Sequence, residues 1–102
     1  MAKHEVGPVA EADLFEIWCY FWDETRSEEL ADRVVSTITT RFPLIAKHPY
    51  IGRNRKDDLR DGVRSYVAGD YVIYYRTDGE NVVILRVFHG RRNPEELYGV
   101  EG

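Results

Sequence analysis

The run Val82-Val-Ile-Leu-Arg-Val-Phe88 constrains this chain more than any other segment. Read as a strand, its alternation sends Val83, Leu85 and Val87 to one side and Val82, Ile84, Arg86 and Phe88 to the other. Both sides are largely apolar, so a sheet built around it needs cover on both faces. A helical layer supplies one cover. Part of the other face is then left for something else, and exposed apolar surface of that kind marks an interaction site. Arg86 interrupts the run well short of the ~20 apolar residues that cross a bilayer, so no membrane span is expected.

Two helical segments precede it. Leu14, Ile17, Trp18 and Phe21 recur at helical spacing and predict a first helix over Val9 to Asp23, with Phe15, Cys19 and Trp22 widening the apolar stripe. Thr25 followed three residues later by Glu28 has capping-box spacing for a second helix. Leu30, Val34, Ile38, Phe42 and Ile45 then step along one face to about Lys47. Pro43 removes the hydrogen bond to the carbonyl of Thr39 and crowds that carbonyl, which predicts a break near Thr39–Thr40. The short Asp23–Arg26 link makes the two helices an antiparallel hairpin. Ahead of them, Lys3 to Val6 reads as an edge strand ended by Gly7-Pro8.

Tyr50 to Gly62 is a polar loop, long for a chain of 102 residues, with Leu59 as the residue expected to pin it. Three strands follow, Val63–Ala68, Tyr71–Arg76 and Val82–Phe88. Gly69-Asp70 joins the first pair and a turn containing Asp78-Gly79 the second. Asn93 and Pro94 read as the cap and first turn of a brief last helix.

A chain of 102 residues that is 43% hydrophobic and 31% charged fits a single domain over residues 1–102 with one core. The N-terminus lacks the apolar stretch of a secretory signal, and Cys19, the only cysteine, has no partner for an intrachain disulfide. Both agree with a cytoplasmic location. Residues 1–50 carry five Lys/Arg against nine Asp/Glu, whereas residues 51–102 carry nine of each. Eight of the later nine cations are arginines, suited to bidentate grip on carboxylate or phosphate. The formal net charge of −4 argues against a non-specific nucleic-acid binder.

His4, His48 and His89 are scattered and no metal-ligand spacing or phosphate-cradling glycine loop occurs, so neither metal nor cofactor is expected. Chemistry concentrates near the last strand, at Arg86, His89, Arg91, Arg92 and Tyr98. His89 or Tyr98 with Arg91 has the groups for proton transfer and charge stabilisation in phosphodiester cleavage. The same set also makes a cationic face for carboxylates, with His89 bonding to backbone and Tyr98 packing the tail. Trp18, Phe21 and Trp22 have two readings as well: core packing, or an interface with tryptophan anchors.

Several pieces occur in a fixed order: Ala12-x-Leu14-x-x-Ile17-Trp18, Phe42-x-x-Ile45-Ala46-x-His48-Pro49, Ile51-Gly52-Arg53, and Asp58-Leu59-Arg60-x-Gly62-Val63-Arg64-Ser65. Tyr71-Val-Ile-Tyr-Tyr-Arg76 and Ile84-Leu-Arg-Val-Phe-His-Gly-Arg-Arg92 complete the set. In order and spacing this resembles the ParE toxins of the ParE/RelE superfamily of bacterial type II toxin–antitoxin systems. The resemblance implies an α+β fold of β-α-α-β-β-β order, a helical hairpin packed on one face of an antiparallel sheet. It implies a toxin that inhibits DNA gyrase by binding, neutralised by a ParD-like antitoxin that dimerises and assembles a hetero-oligomer. Antitoxin contacts are then expected at Trp18, Trp22, Arg64, Arg76 and Arg86, and target contacts at Arg91, Arg92 and Tyr98. No direct specific nucleic-acid binding is expected. The RelE-like alternative is a ribosome-dependent mRNA endoribonuclease, using His89, Arg91 and Tyr98. Against it, Tyr71 stands where those nucleases place an arginine, and Lys56 stands alone where they place a lysine pair.

Overall fold

A computed structural model of the chain describes residues 2–56 and 62–93. The elements run β1 (His4–Val6), α1 (Pro8–Thr25), α2 (Glu28–Thr39), α3 (Arg41–Lys47), β2 (Arg53–Asn54), β3 (Val63–Ala68), β4 (Tyr71–Asp78) and β5 (Asn81–His89). The strands form one sheet in the order β1-β5-β4-β3-β2, under a layer of helices, an α+β architecture. Four of the strands pair antiparallel as expected, but β1 runs parallel to β5, so the sheet is mixed. The connection from β1 through the helices and round to β5 makes this possible, because parallel neighbours need a crossover. The loop expected over Tyr50–Gly62 contributes the two-residue strand β2, and Leu59 and Pro94 lie outside the described residues.

Local chemistry sets the helix ends. Gly7 donates its N–H to the Ile84 carbonyl (2.9 Å), and Pro8 then opens α1 from the first turn, where its missing N–H costs nothing. The cap of α2 is Ser27, whose Oγ accepts from the Leu30 N–H (3.1 Å). The capping box expected from Thr25 and Glu28 does not form. The Thr25 hydroxyl instead donates to the Phe21 carbonyl within α1, which runs two residues further than expected. Arg26 in the left-handed region (φ 57°) turns the chain between the helices. The break at Thr40 between α2 and α3 falls where Pro43 requires it.

The main core lies between the helices and the sheet. Ala10 and Ile17 of α1, Ile38 of α2 and Phe42, Ile45 and Ala46 of α3 pack on Ile73, Tyr75, Val82, Ile84 and Val87. Simple alternation along β5 fails at one point. A bulge sets Tyr74 opposite Arg86 but Tyr75 opposite Ile84, leaving Leu85 as the extra residue. Val82, Ile84 and Val87 therefore all face the helices, while Leu85 and Phe88 join the second face.

That second face is not left bare. Val63, Tyr74 and Phe88 are each no more than 3% exposed, with Val72 and Leu85 packed against them. Arginines lie across it: the Arg55 guanidinium is 5.8 Å from the Tyr74 ring, and those of Arg86 and Arg92 are 5.3 and 5.0 Å from the Phe88 ring. Aromatic faces attract guanidinium groups, and arginine stems cover apolar surface. Exposed apolar surface instead stands on α1 (Val9, Phe15, Tyr20), at Tyr50 and Ile51, and at Val67. Among the described residues no helix is long and apolar enough to cross a membrane.

Candidate functional site

The helical spacing of Trp18 and Trp22 places the two indoles on one stripe of α1, where they stack with centroids 6.2 Å apart and 21° between planes. Trp18 Nε1–H donates to Asp32 Oδ1 on α2 (2.8 Å), which fixes the first ring, and the Arg26 guanidinium lies 5.6 Å from the second. Both indoles are half-buried, so each offers an oriented outer surface. Phe15 extends the apolar surface of α1 and is 67% exposed. Rigid, partly exposed aromatic groups of this kind are typical anchors for a protein partner.

The three arginines expected, with these tryptophans, to contact the antitoxin lie away from them. Arg64, on β3, donates from Nη1 to the Gly52 carbonyl (2.8 Å) and stacks on the Tyr50 ring at 4.9 Å. Arg76 stands opposite Val63 and Val83 on the second face of the sheet. Arg86 donates from Nε and Nη2 to both carboxylate oxygens of Asp13 (2.8 and 3.0 Å), and its side chain is 12% exposed. The expected antitoxin set is thus spread over three surfaces, and Arg86 is engaged internally.

A groove of about 450 Å³ opens between α1 and the Tyr71–His89 end of the sheet. Ile17, Phe21 and Val87 contribute its apolar lining, and Tyr20, Tyr71, His89 and Arg92 its polar groups. Tyr71 and His89, directly paired across β4 and β5, meet edge to face at 5.5 Å. The Tyr71 hydroxyl ionises above the ordinary tyrosine range, chiefly because it is desolvated, with the charges of Tyr20 and Asp70 adding to the effect.

His89 Nδ1 accepts the Arg91 backbone N–H (3.0 Å), and the His89 carbonyl accepts that of Arg92 (3.0 Å). In its neutral form the ring then carries its proton on Nε2, which is a donor. Arg91 and Arg92 occupy the turn that this contact shapes. Tyr98 lies outside the described residues.

Three groups central to this geometry escape a reading by composition and spacing. Asp13 is buried on the stripe of Ala10 and Ile17; its signal is an acid set among apolar residues three and four positions away. Arg55, inside the polar loop, is buried and donates to Ser65 Oγ (3.0 Å). The Tyr75 hydroxyl accepts the Gly52 N–H and donates to the Pro49 carbonyl, both at 2.9 Å. The motif pieces His48-Pro49 and Ile51-Gly52, with Arg64 and Tyr75, are therefore parts of one structural clasp. Among the described residues no group of three His, Cys, Asp or Glu side chains is placed to hold a metal ion.

Comparison with known proteins adds a family. A family model described as the ParE toxin of the type II toxin–antitoxin system, parDE, matches residues 5–94. Toxin RelE3 of Caulobacter vibrioides is 34% identical over 89 residues, covering 87% of this chain and 95% of that protein. Toxin ParE1 of the same organism is 33% identical, covering 97% of this chain and all of that protein (100%). Toxin ParE1 of Mycobacterium tuberculosis is 31% identical, covering 88% and 91%. Among solved structures, a chain of a chromosomal ParDE toxin–antitoxin system from P. aeruginosa superposes with a TM-score of 0.73 at 22% identity, covering 87% of this chain and 96% of that one. A chain of the toxin–antitoxin complex RelBE2 from Mycobacterium tuberculosis gives 0.60 at 25% identity, covering 86% and 96%.

Proposed function

This chain belongs to the ParE toxin family of type II toxin–antitoxin systems, and from that premise we propose that it acts by binding DNA gyrase in the cytoplasm and is neutralised by a ParD-like antitoxin. The observation that carries the reading is the aromatic surface of α1. Stacked Trp18 and Trp22, with Phe15 exposed beside them, form an ordered apolar face of the sort a partner chain covers. Antitoxin contacts centre on Trp18 and Trp22, with Arg64 and Arg76 reached only if the antitoxin extends round to the β3–β4 side. Arg86 contributes indirectly, by holding α1 through Asp13. Arg91, Arg92 and Tyr98 remain the target-facing set. The hydrogen bond that occupies His89 Nδ1 argues only against the neutral His89 ring as a general base, since it then has no free lone pair.

The 34% identical relative named Toxin RelE3 favours a second reading, ribosome-dependent mRNA cleavage with His89, Arg91 and Tyr98 as the working groups. One pair of assays separates the two. In a gyrase supercoiling assay with detection of the cleavage complex, the purified toxin is expected to stall the enzyme with cleaved DNA, and addition of antitoxin to reverse it. In a ribosome and mRNA assay the binding reading expects no cleavage. Cleavage that disappears with Tyr98→Phe, and no effect on gyrase, would replace the first reading with the second.

A further inference from the structure

The junction between α3 and β2 joins three features that the proposed function leaves unused. First, Tyr50 is 72% and Ile51 44% exposed, and with Leu44, Lys47, His48 and Pro49 they line an open groove of about 710 Å³. Second, the backbone beneath them is fixed from inside. Tyr75 bridges Gly52 and Pro49, the Ile51 N–H donates to the His48 carbonyl (2.9 Å), and Arg64 holds the Gly52 carbonyl. Those polar groups are satisfied inward, so the junction offers side chains outward on a frame that is already ordered, which lowers the cost of docking.

Third, the charge is one-sided. From Arg33 to Lys56 the sequence has six Lys/Arg and no Asp or Glu, whereas residues 1–32 have nine Asp/Glu and two Lys/Arg. Lys47 lines the groove and the Arg64 guanidinium stacks on the Tyr50 ring at its edge. Arg41 lies three residues before Leu44 on the same helical stripe.

We infer that this groove docks an acidic segment of a partner protein, a bulky apolar side chain seated among Leu44, Pro49 and Ile51 with flanking carboxylates on Lys47 and Arg64. Charge complementarity excludes a basic segment. A nucleic acid fits less well, because the lining is mainly apolar and affinity for a phosphate backbone needs many cations on a chain whose net charge is −4. A second copy would have to present a different, acidic face, such as α1 or the first turn of α2, and such head-to-tail contacts build rings or open assemblies rather than a two-fold dimer. The groove shares Arg64 with the proposed antitoxin set but none of the tryptophan face or the residues after β5, and the Trp22→Ala arm of the test below separates the two.

The test is fluorescence anisotropy of a labelled short peptide with acidic residues on both sides of a Leu-Phe pair. Its controls are the same peptide with lysines for the acids, the same acids with glycines for Leu-Phe, and a short oligothymidylate. The acidic Leu-Phe peptide is expected to bind in a salt-sensitive way, and both Lys47→Glu and Ile51→Asp to weaken it about tenfold or more. Trp22→Ala is expected to leave it unchanged. Lys47 and Ile51 are exposed, and unaltered melting temperatures confirm that both variants fold. In amide NMR spectra of the wild-type chain, shifts are expected to concentrate at Leu44, Lys47, Tyr50 and Ile51. No binding, equal binding of any control, wild-type affinity in both variants, or self-association abolished by Ile51→Asp would overturn the inference.

Discussion

Asp13 and Arg86, 73 residues apart in sequence, together close the edge of β5 that β1 is too short to cover. The parallel partner ends opposite Ile84. Beyond it the Asp13 carboxylate takes two guanidinium bonds from Arg86, and its Oδ2 also accepts the Val87 N–H at 2.9 Å. A helix side chain thus continues a strand's hydrogen bonding and ties α1 to the sheet. Asp13→Ala is expected to cost about 3–5 kcal/mol in urea unfolding, because it breaks the bidentate pair with Arg86, whose side chain is 12% exposed, and leaves the buried Val87 N–H without its acceptor. The double replacement Asp13→Leu with Arg86→Met removes the charge along with its partner and should recover much of that loss. A cost below about 1 kcal/mol for Asp13→Ala would show that the edge is held by packing alone.

A clasp of the same kind sits at the opposite side of the sheet. A Cβ on Gly52 would stand 2.5 Å from the Tyr75 hydroxyl and 2.8 Å from the Ser65 carbonyl oxygen. Gly52→Ala is therefore expected to destabilise by about 1–3 kcal/mol through overpacking. Tyr75→Phe removes the nearest contact but leaves the ring carbon Cε1 and the Ser65 carbonyl, each 2.8 Å away, in place. The double variant should accordingly cost less than the two single changes added together, a coupling that a thermal unfolding cycle measures directly.

These two clasps explain what the sequence could and could not reveal. Strand β3 is read to the residue, and the break at Thr40 follows from Pro43, because alternation and proline sterics act locally. The bulge at Leu85 is a property of the β4–β5 pair, so the alternation of β5 alone misassigns the faces of Val87 and Phe88. Counting apolar positions likewise overstates the bare surface. Arg55, Arg86 and Arg92 lie over the second face, and nothing in the local pattern distinguishes an arginine folded onto a ring from one in water. The family motifs around Gly52 and Arg64 were legible as a resemblance, but their physical reason, the Tyr75 bridge, joins residues more than twenty positions apart.

The Tyr75 hydroxyl also predicts a response to pH. Burial raises its pKa above the ordinary tyrosine value of 10.0, and the Gly52 N–H and the Arg64 charge offset this only in part. A group whose pKa is higher folded than unfolded keeps its proton longer in the native state. Its contribution is fully present below pH 10 and is lost as pH rises from there through the folded value. Melting temperatures should therefore fall above about pH 10, and Tyr75→Phe, less stable at neutral pH, should fall less steeply over that interval. Parallel slopes for the two proteins would rule out Tyr75 as the source.

The tryptophan pair separates a folding role from a docking role. Trp22 is half-buried, stacks on Trp18 and lies near Arg26, whereas Trp18 is additionally tied to Asp32 through its ring N–H. Trp18→Phe keeps an aromatic ring in the stack and loses the hydrogen bond, so its main effect should be on stability, about 1 kcal/mol. Trp22→Ala removes an anchor from the outer face. It is expected to weaken antitoxin binding by about 2 kcal/mol or more, roughly thirtyfold, measured by titration calorimetry against the cognate antitoxin. If gyrase is the target, as proposed, its inhibition by the free toxin should survive the same change, because the residues proposed to meet the target lie after β5. If affinity for the antitoxin drops less than about threefold while the fold is intact, the stacked indoles are a structural cap on the helix pair and the antitoxin is held elsewhere.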